Sequence, residues 1–109
     1  MADTGPLLRI FEVRVKPDCA SMLLKNFATT SAGVVKDNPE NRGYFFGECV
    51  QGSDDTVMFV SVWSGLDAVK AHFGADWETS YMPPGYEDLI EECLVRHFDM
   101  ASGWHVRGV

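Results

Sequence analysis

The sequence predicts an α+β fold of βαββαβ order, and three observations point to it. Four segments are rich in β-branched and aromatic residues, as strands are, and two segments repeat apolar residues at intervals of three and four, as amphipathic helices do. They run in the order strand, helix, strand, strand, helix, strand, the ferredoxin-like arrangement of an antiparallel sheet with both helices on one face. The strand segments are also apolar on both faces, so the face without helices calls for a second cover.

The first strand is "LLRIFEVRVK", residues 7–16. Pro17 and Asp18 then open a helix, since Pro fits a first helical turn and Asp favours the positive end of the helix dipole. Ala20, Leu23, Leu24, Phe27, Ala28 and Val34 or Val35 form its apolar stripe, with Gly33 a weak spot in the last turns. "DNPENRG" ends it, because Pro39 cannot continue a helix and disfavours the α region for Asn38.

"YFFGECVQ" and "TVMFVSVW", joined by the turn-forming "GSDD", form a hairpin. In the second of these, Val57, Phe59 and Trp63 share one face, and Met58, Val60 and Val62 the other. Tyr44 and Phe46 similarly oppose Phe45. Ser64 is placed as the N-cap of the second helix, with Asp67 completing an approximate capping box, and that helix runs to about Phe73. One or two short helices are expected in 74–92, broken by Pro83, Pro84 and Gly85. "CLVRHFDM" is the last strand.

At 109 residues the chain reads as one domain, 1–109, with its core over about 7–100 and a tail at 101–109. Hydrophobic residues at 46% and charged residues at 23% place it among globular proteins rather than disordered ones. A formal charge of −7, with scattered Lys and Arg, argues against nucleic acid as a partner. No apolar run reaches the length of a membrane span, and the first ten residues lack the pattern of a signal peptide, so no membrane partner and a cytoplasmic location are expected. Cys19, Cys49 and Cys93 are odd in number and widely spaced, which reads as free, buried thiols, and no metal site is expected. The sheet face left bare by the helices predicts a homodimer, sheet against sheet.

Gly43-Tyr44, the acidic Asp54-Asp55 turn, a strand ending in Val-x-Val-Trp at Trp63, then Ser64, Ala68 and His72-Phe73, together resemble the antibiotic biosynthesis monooxygenase family. The resemblance covers about 7–100 and is densest over 43–73. It implies a dimeric α/β barrel with a pocket between the helices and sheet of each subunit. It also implies oxidation of a small phenolic, hydroquinone or polyketide-like aromatic by dioxygen, with no cofactor. A deprotonated substrate of that kind is electron-rich enough to react with oxygen directly. The family's strand-end tryptophan matches Trp63 and its helix histidine matches His72. Its haem-degrading branch uses an Asn in the first strand and a His after the second helix. Here the first strand has Ile10, Phe11 and Glu12, and Trp77, Tyr81 and Met82 follow the helix, which weighs against haem.

The candidate catalytic residue is therefore His72, which would orient or deprotonate a substrate hydroxyl. On a helical wheel it falls on the shoulder of the Leu66, Val69 and Phe73 stripe, where a boundary histidine bonded to backbone or water is the structural alternative. Trp63, Phe59, Trp77 and Tyr81 are the candidate ring-binding residues. Trp63 is also accounted for as core. Tyr81 and Tyr86 flank the Pro83-Pro84-Gly85 loop, which reads as a pocket lid or a plain connector. His97, aligned with Cys93, Val95 and Asp99 in the last strand, reads as structural, and His105 lies in the tail. The competing function is a non-catalytic dimeric barrel that binds a small apolar ligand.

Overall fold

A computed structural model describes residues 6–51 and 55–100. Alternation produces four strands: β1 (Leu7–Val15), β2 (Asn41–Glu48), β3 (Thr56–Trp63) and β4 (Ile90–Asp99). They form one antiparallel sheet in the order β2-β3-β1-β4, the topology expected of βαββαβ. β2 and β3 pair as the expected hairpin, although the tip of its turn, the tail at 101–109 and His105 lie outside the described residues.

The inward face of β1 is Leu7, Arg9, Phe11, Val13 and Val15, all buried. Against it pack α1 (Ala20–Asn26), a π-helical turn at Phe27–Ser31, α2 (Ala32–Val35) and, further along, α3 (Leu66–Phe73). The first three are one continuous helix. Among its buried residues Leu23, Phe27, Ser31 and Val35 recur every four positions, with Ala32 beside them. In a regular α-helix each such step drifts about 40° around the axis, so three steps would carry the stripe off the sheet. The π turn, in which the Ala32 N–H bonds the Phe27 carbonyl, widens the helix and keeps the stripe facing inward. The irregularity thus falls at 27–31, ahead of Gly33, and Ala28, expected on the stripe, is exposed.

Phe27 is the centre of an aromatic cluster. Its ring centroid lies 5.4 Å from Phe59, 6.1 Å from both Phe11 and Phe46, and 6.3 Å from Tyr86. Such tilted contacts add to simple burial.

Two helix starts differ from expectation. Asp18 adopts a left-handed backbone (φ 64°), which Asp tolerates, so the chain turns there and helix begins only after Cys19. At α3 the N-cap is Gly65. Ser64 is engaged elsewhere: its N–H bonds the Glu40 carbonyl at 3.0 Å and its hydroxyl donates to the Glu40 carboxylate. Asp67 remains in the first turn, where its charge suits the dipole. The second strand begins at Asn41, ahead of Tyr44, because Asn41 bonds the Val62 carbonyl and caps the Gly43 N–H across a register shift. The final strand begins three residues before Cys93, and 74–89 contains the two short helical turns expected, Gly74–Asp76 and Tyr86–Asp88. The three cysteines are free, but partly exposed rather than buried.

The outward face of the sheet is also apolar. Across β2, β3, β1 and β4 it presents the rows Phe45, Val60, Ile10, Arg96 and Gly43, Val62, Leu8, Phe98. Phe45 (51%) and Phe98 (46%) are among its exposed side chains, with Met58 and Leu94 nearby.

Candidate functional site

One row of the inward face departs from the apolar pattern. Tyr44, Ser61, Arg9 and His97 are cross-strand neighbours, lying between the row Phe46, Phe59, Phe11, Val95 and the Trp63–Leu7 pair. Strand alternation fixes their direction: Arg9 stands between Leu7 and Phe11 in the inward register. It is 5% exposed.

Arg9 links the sheet to the segment after α3. Its Nη1 donates to the Trp77 carbonyl (2.6 Å) and to His97 Nε2 (2.9 Å), and its Nη2 donates to the Thr79 carbonyl (3.2 Å). The Phe73 ring covers the guanidinium with Cζ 3.8 Å from the ring centroid. Among the described residues no carboxylate pairs with Arg9; the ion pairs there join Arg14 to Glu91 and Glu92 on the surface. Burial pulls the Arg9 pKa down to about 10, which still leaves it charged at neutral pH.

His97 responds to the same surroundings. Burial, and then the Arg9 charge, push its pKa down to about 4, so it is neutral at pH 7. Arginine has no acceptor, so Nε2 must carry the lone pair and Nδ1 the hydrogen. Trp77 covers this pair, its ring centroid 5.0 Å from that of His97.

Beside Arg9 a cavity opens between sheet and helices, lined by Phe11, Ser31, Phe59, Ser61, Phe73 and Tyr81, with Val34, Val35 and Pro83. About 40 Å³ of it accepts the centre of a water-sized molecule, which is room for two or three waters. Its two serine hydroxyls already have partners. Tyr86 donates to the Asn26 carbonyl at 3.0 Å, so the 2.6 Å contact between Ser31 and Tyr86 is donated by Ser31. Ser61 accepts from the Trp63 indole N–H at 2.9 Å. Tyr81 is half exposed and stands at the rim.

Of the residues singled out from sequence, Phe59 and Tyr81 line this cavity. Trp63 is fully buried behind it, in contact with the lining residues Ser61 and Phe73. Trp77 contributes its backbone carbonyl, while its ring faces His97 and Lys70. His72 lies outside the lining, its ring 5.1 Å from Trp63 and 4.7 Å from Phe73. Its Nδ1 is 3.0 Å from Asn38 Nδ2. The Asn38 amide is oriented by its Oδ1, which accepts from the Glu40 N–H at 2.8 Å. His72 Nδ1 is therefore an acceptor, and in the neutral ring Nε2 carries the hydrogen and can only donate.

Arg9 and Ser61 were not among the sequence candidates. Their signal is parity, since each falls on the inward register between apolar neighbours. No group of three or more His, Cys, Asp or Glu side chains among the described residues is arranged to hold a metal ion.

No protein-family model matches the sequence, and no curated protein is similar to it. Solved structures are similar in fold. A protein from Deinococcus radiodurans assigned to the antibiotic biosynthesis monooxygenases superposes with a TM-score of 0.67 at 12% identity, covering 94% of this chain and 99% of that one. One from Chloroflexus aurantiacus with the same assignment gives 0.62 at 16% identity, covering 95% and 100%. A haem-degrading protein from Mycobacterium tuberculosis gives 0.65 at 19%, covering 94% and 99%. Haem does not fit this cavity: no histidine lines it, and the space beside Arg9 is far smaller than a porphyrin.

Proposed function

We propose that this chain, which has the fold of the antibiotic biosynthesis monooxygenases, binds a small phenolic or hydroquinone-type aromatic beside Arg9 and oxidises it with dioxygen, without a cofactor. The observation that supports this reading is an aromatic-walled cavity containing a buried, charged guanidinium with no carboxylate partner among the described residues. A fixed cation in a water-poor site favours an anionic aromatic over a neutral one. Ionised hydroquinones and anthrones reduce dioxygen. One oxygen atom enters the ring system as a carbonyl and the other leaves as water, so no external reductant is needed.

Within this reading Phe59, Phe11 and Phe73 hold the ring, and Tyr81 swings outward to admit it, because the space beside Arg9 is smaller than a ring. His72 is not the base: it lies outside the lining, Asn38 leaves it only a donor at Nε2, and it acts by holding Phe73, 4.7 Å from its ring, over Arg9. The substrate proton leaves to water at the Tyr81 rim. The outward sheet face packs on a second copy, which would cover Phe45 and Phe98.

Oxygen consumption tests the reaction. Purified protein offered hydroquinones and anthrones, with and without a chelator, should take up oxygen above the autoxidation blank, equally in both cases. His72→Ala should slow uptake without abolishing it. No uptake above the blank by wild type would sink the enzymatic reading. It would favour a dimeric barrel that only binds an aromatic ligand, a reading supported by the prior engagement of both cavity serines.

A further inference from the structure

We infer that the anion held at Arg9 is a carboxylate, so that the ligand of this cavity is an aromatic acid. The inference rests on reading the cavity as the ligand site, and it is independent of oxygen chemistry.

The guanidinium has five N–H groups. Nη1 uses both of its own, on the Trp77 carbonyl and His97, and Nη2 uses one, on Thr79. The second N–H of Nη2 and the N–H of Nε have no acceptor among the described residues. Nη2 and Nε form one edge of the planar fork, the arrangement that takes two oxygens of a carboxylate side by side. A phenolate offers one oxygen to that edge; a carboxylate offers two.

Charge points the same way. Every acceptor on Arg9 among the described residues is neutral, including His97, whose ring cannot carry compensating charge. A buried cation without a counter-ion is costly, and an arriving carboxylate relieves that cost. Phe73 over the guanidinium face keeps water away and strengthens the ion pair. Beyond the cation the walls are Phe11, Phe59, Phe73 and Tyr81, which suit an aromatic body. A purely structural Arg9, pinning Trp77 and Thr79 to the sheet, would use the same three hydrogen bonds but would give no preference between an acid and its amide.

The test is calorimetric titration of the full chain at pH 7 with benzoate, benzamide and inorganic phosphate. Wild type should bind benzoate at least tenfold more tightly than benzamide, and phosphate weakly. Arg9→Gln should erase the difference. Arg9→Lys, which keeps the charge but loses the fork, should lose most of it, and it serves if the glutamine variant fails to fold. Equal binding of benzoate and benzamide by wild type, phosphate matching benzoate, or no benzoate binding at millimolar concentration would each overturn the inference. Benzoate selectivity without oxygen uptake leaves it standing and removes only the oxygenase reading. Oxygen uptake with no acid preference does the reverse.

Discussion

Arg9 of β1 donates to His97 of β4 across 2.9 Å, joining a buried charge to a half-buried neutral imidazole on adjacent strands. The pair sits on the inward face of the sheet, in the one polar row between apolar neighbours. Its electrostatics follow from that burial.

The pair makes stability depend on pH. The folded His97 has a pKa of about 4 against an ordinary 6.5, so between these values only the unfolded chain binds the proton. The contribution is therefore intact above about pH 6.5 and is lost as pH falls towards 4. Urea unfolding midpoints should decline through this window in wild type. In His97→Gln, which accepts from Arg9 through its amide oxygen and does not titrate, the decline should be shallower.

Trp63 and the ligand site are separable. Trp63→Phe removes the donor to Ser61 and leaves a smaller ring in a fully buried position. A loss of about 1–3 kcal/mol in unfolding free energy is expected. Because the indole does not line the cavity, benzoate affinity should stay within about threefold of wild type. A collapse of binding with the fold intact would mean the ring site lies against Trp63 instead.

Phe27 joins the helix to three strands through its aromatic contacts. Phe27→Ala should cost about 3–5 kcal/mol, measurable by denaturant titration. The π turn predicts more than this. Removing one residue from 28–30 would leave Phe27 and Ser31 three apart, about 300°, so the stripe stays inward in a regular α-helix and a thermal scan should show little loss, whereas inserting one residue there, which turns Ser31 and Val35 by about 100°, should show a large one.

The outward face predicts association. Phe45 and Phe98 project from the rows that a second copy would cover. Light scattering should give twice the chain mass at micromolar concentration, and Phe45→Glu should shift it to the single-chain mass. A wild-type mass equal to one chain would contradict the dimer.

The architecture was legible because alternation and helical spacing are properties of neighbouring residues. β1, the β2–β3 hairpin and α3 lie close to where their patterns place them. The π turn was not, since its cause is the fit of Leu23, Phe27, Ser31 and Val35 to a sheet built from distant sequence. The site was half legible. The aromatic wall at Phe59 and Tyr81 could be read locally. Arg9 was hidden because a charged residue in a strand ordinarily faces water, and only its parity with Leu7 and Phe11 says otherwise. The donor role of His72 depends on Asn38 and Glu40, which are distant from it in sequence.

The central claim is that this cavity holds its ligand against Arg9. The most direct measurement is the ¹H–¹⁵N signal of the Arg9 Nε–H group during titration with benzoate. The account predicts a saturable shift of that signal at the same midpoint as calorimetry, together with perturbed Phe59 and Tyr81 ring resonances. Benzoate binding that moves other signals and leaves Arg9 Nε–H in place would contradict it.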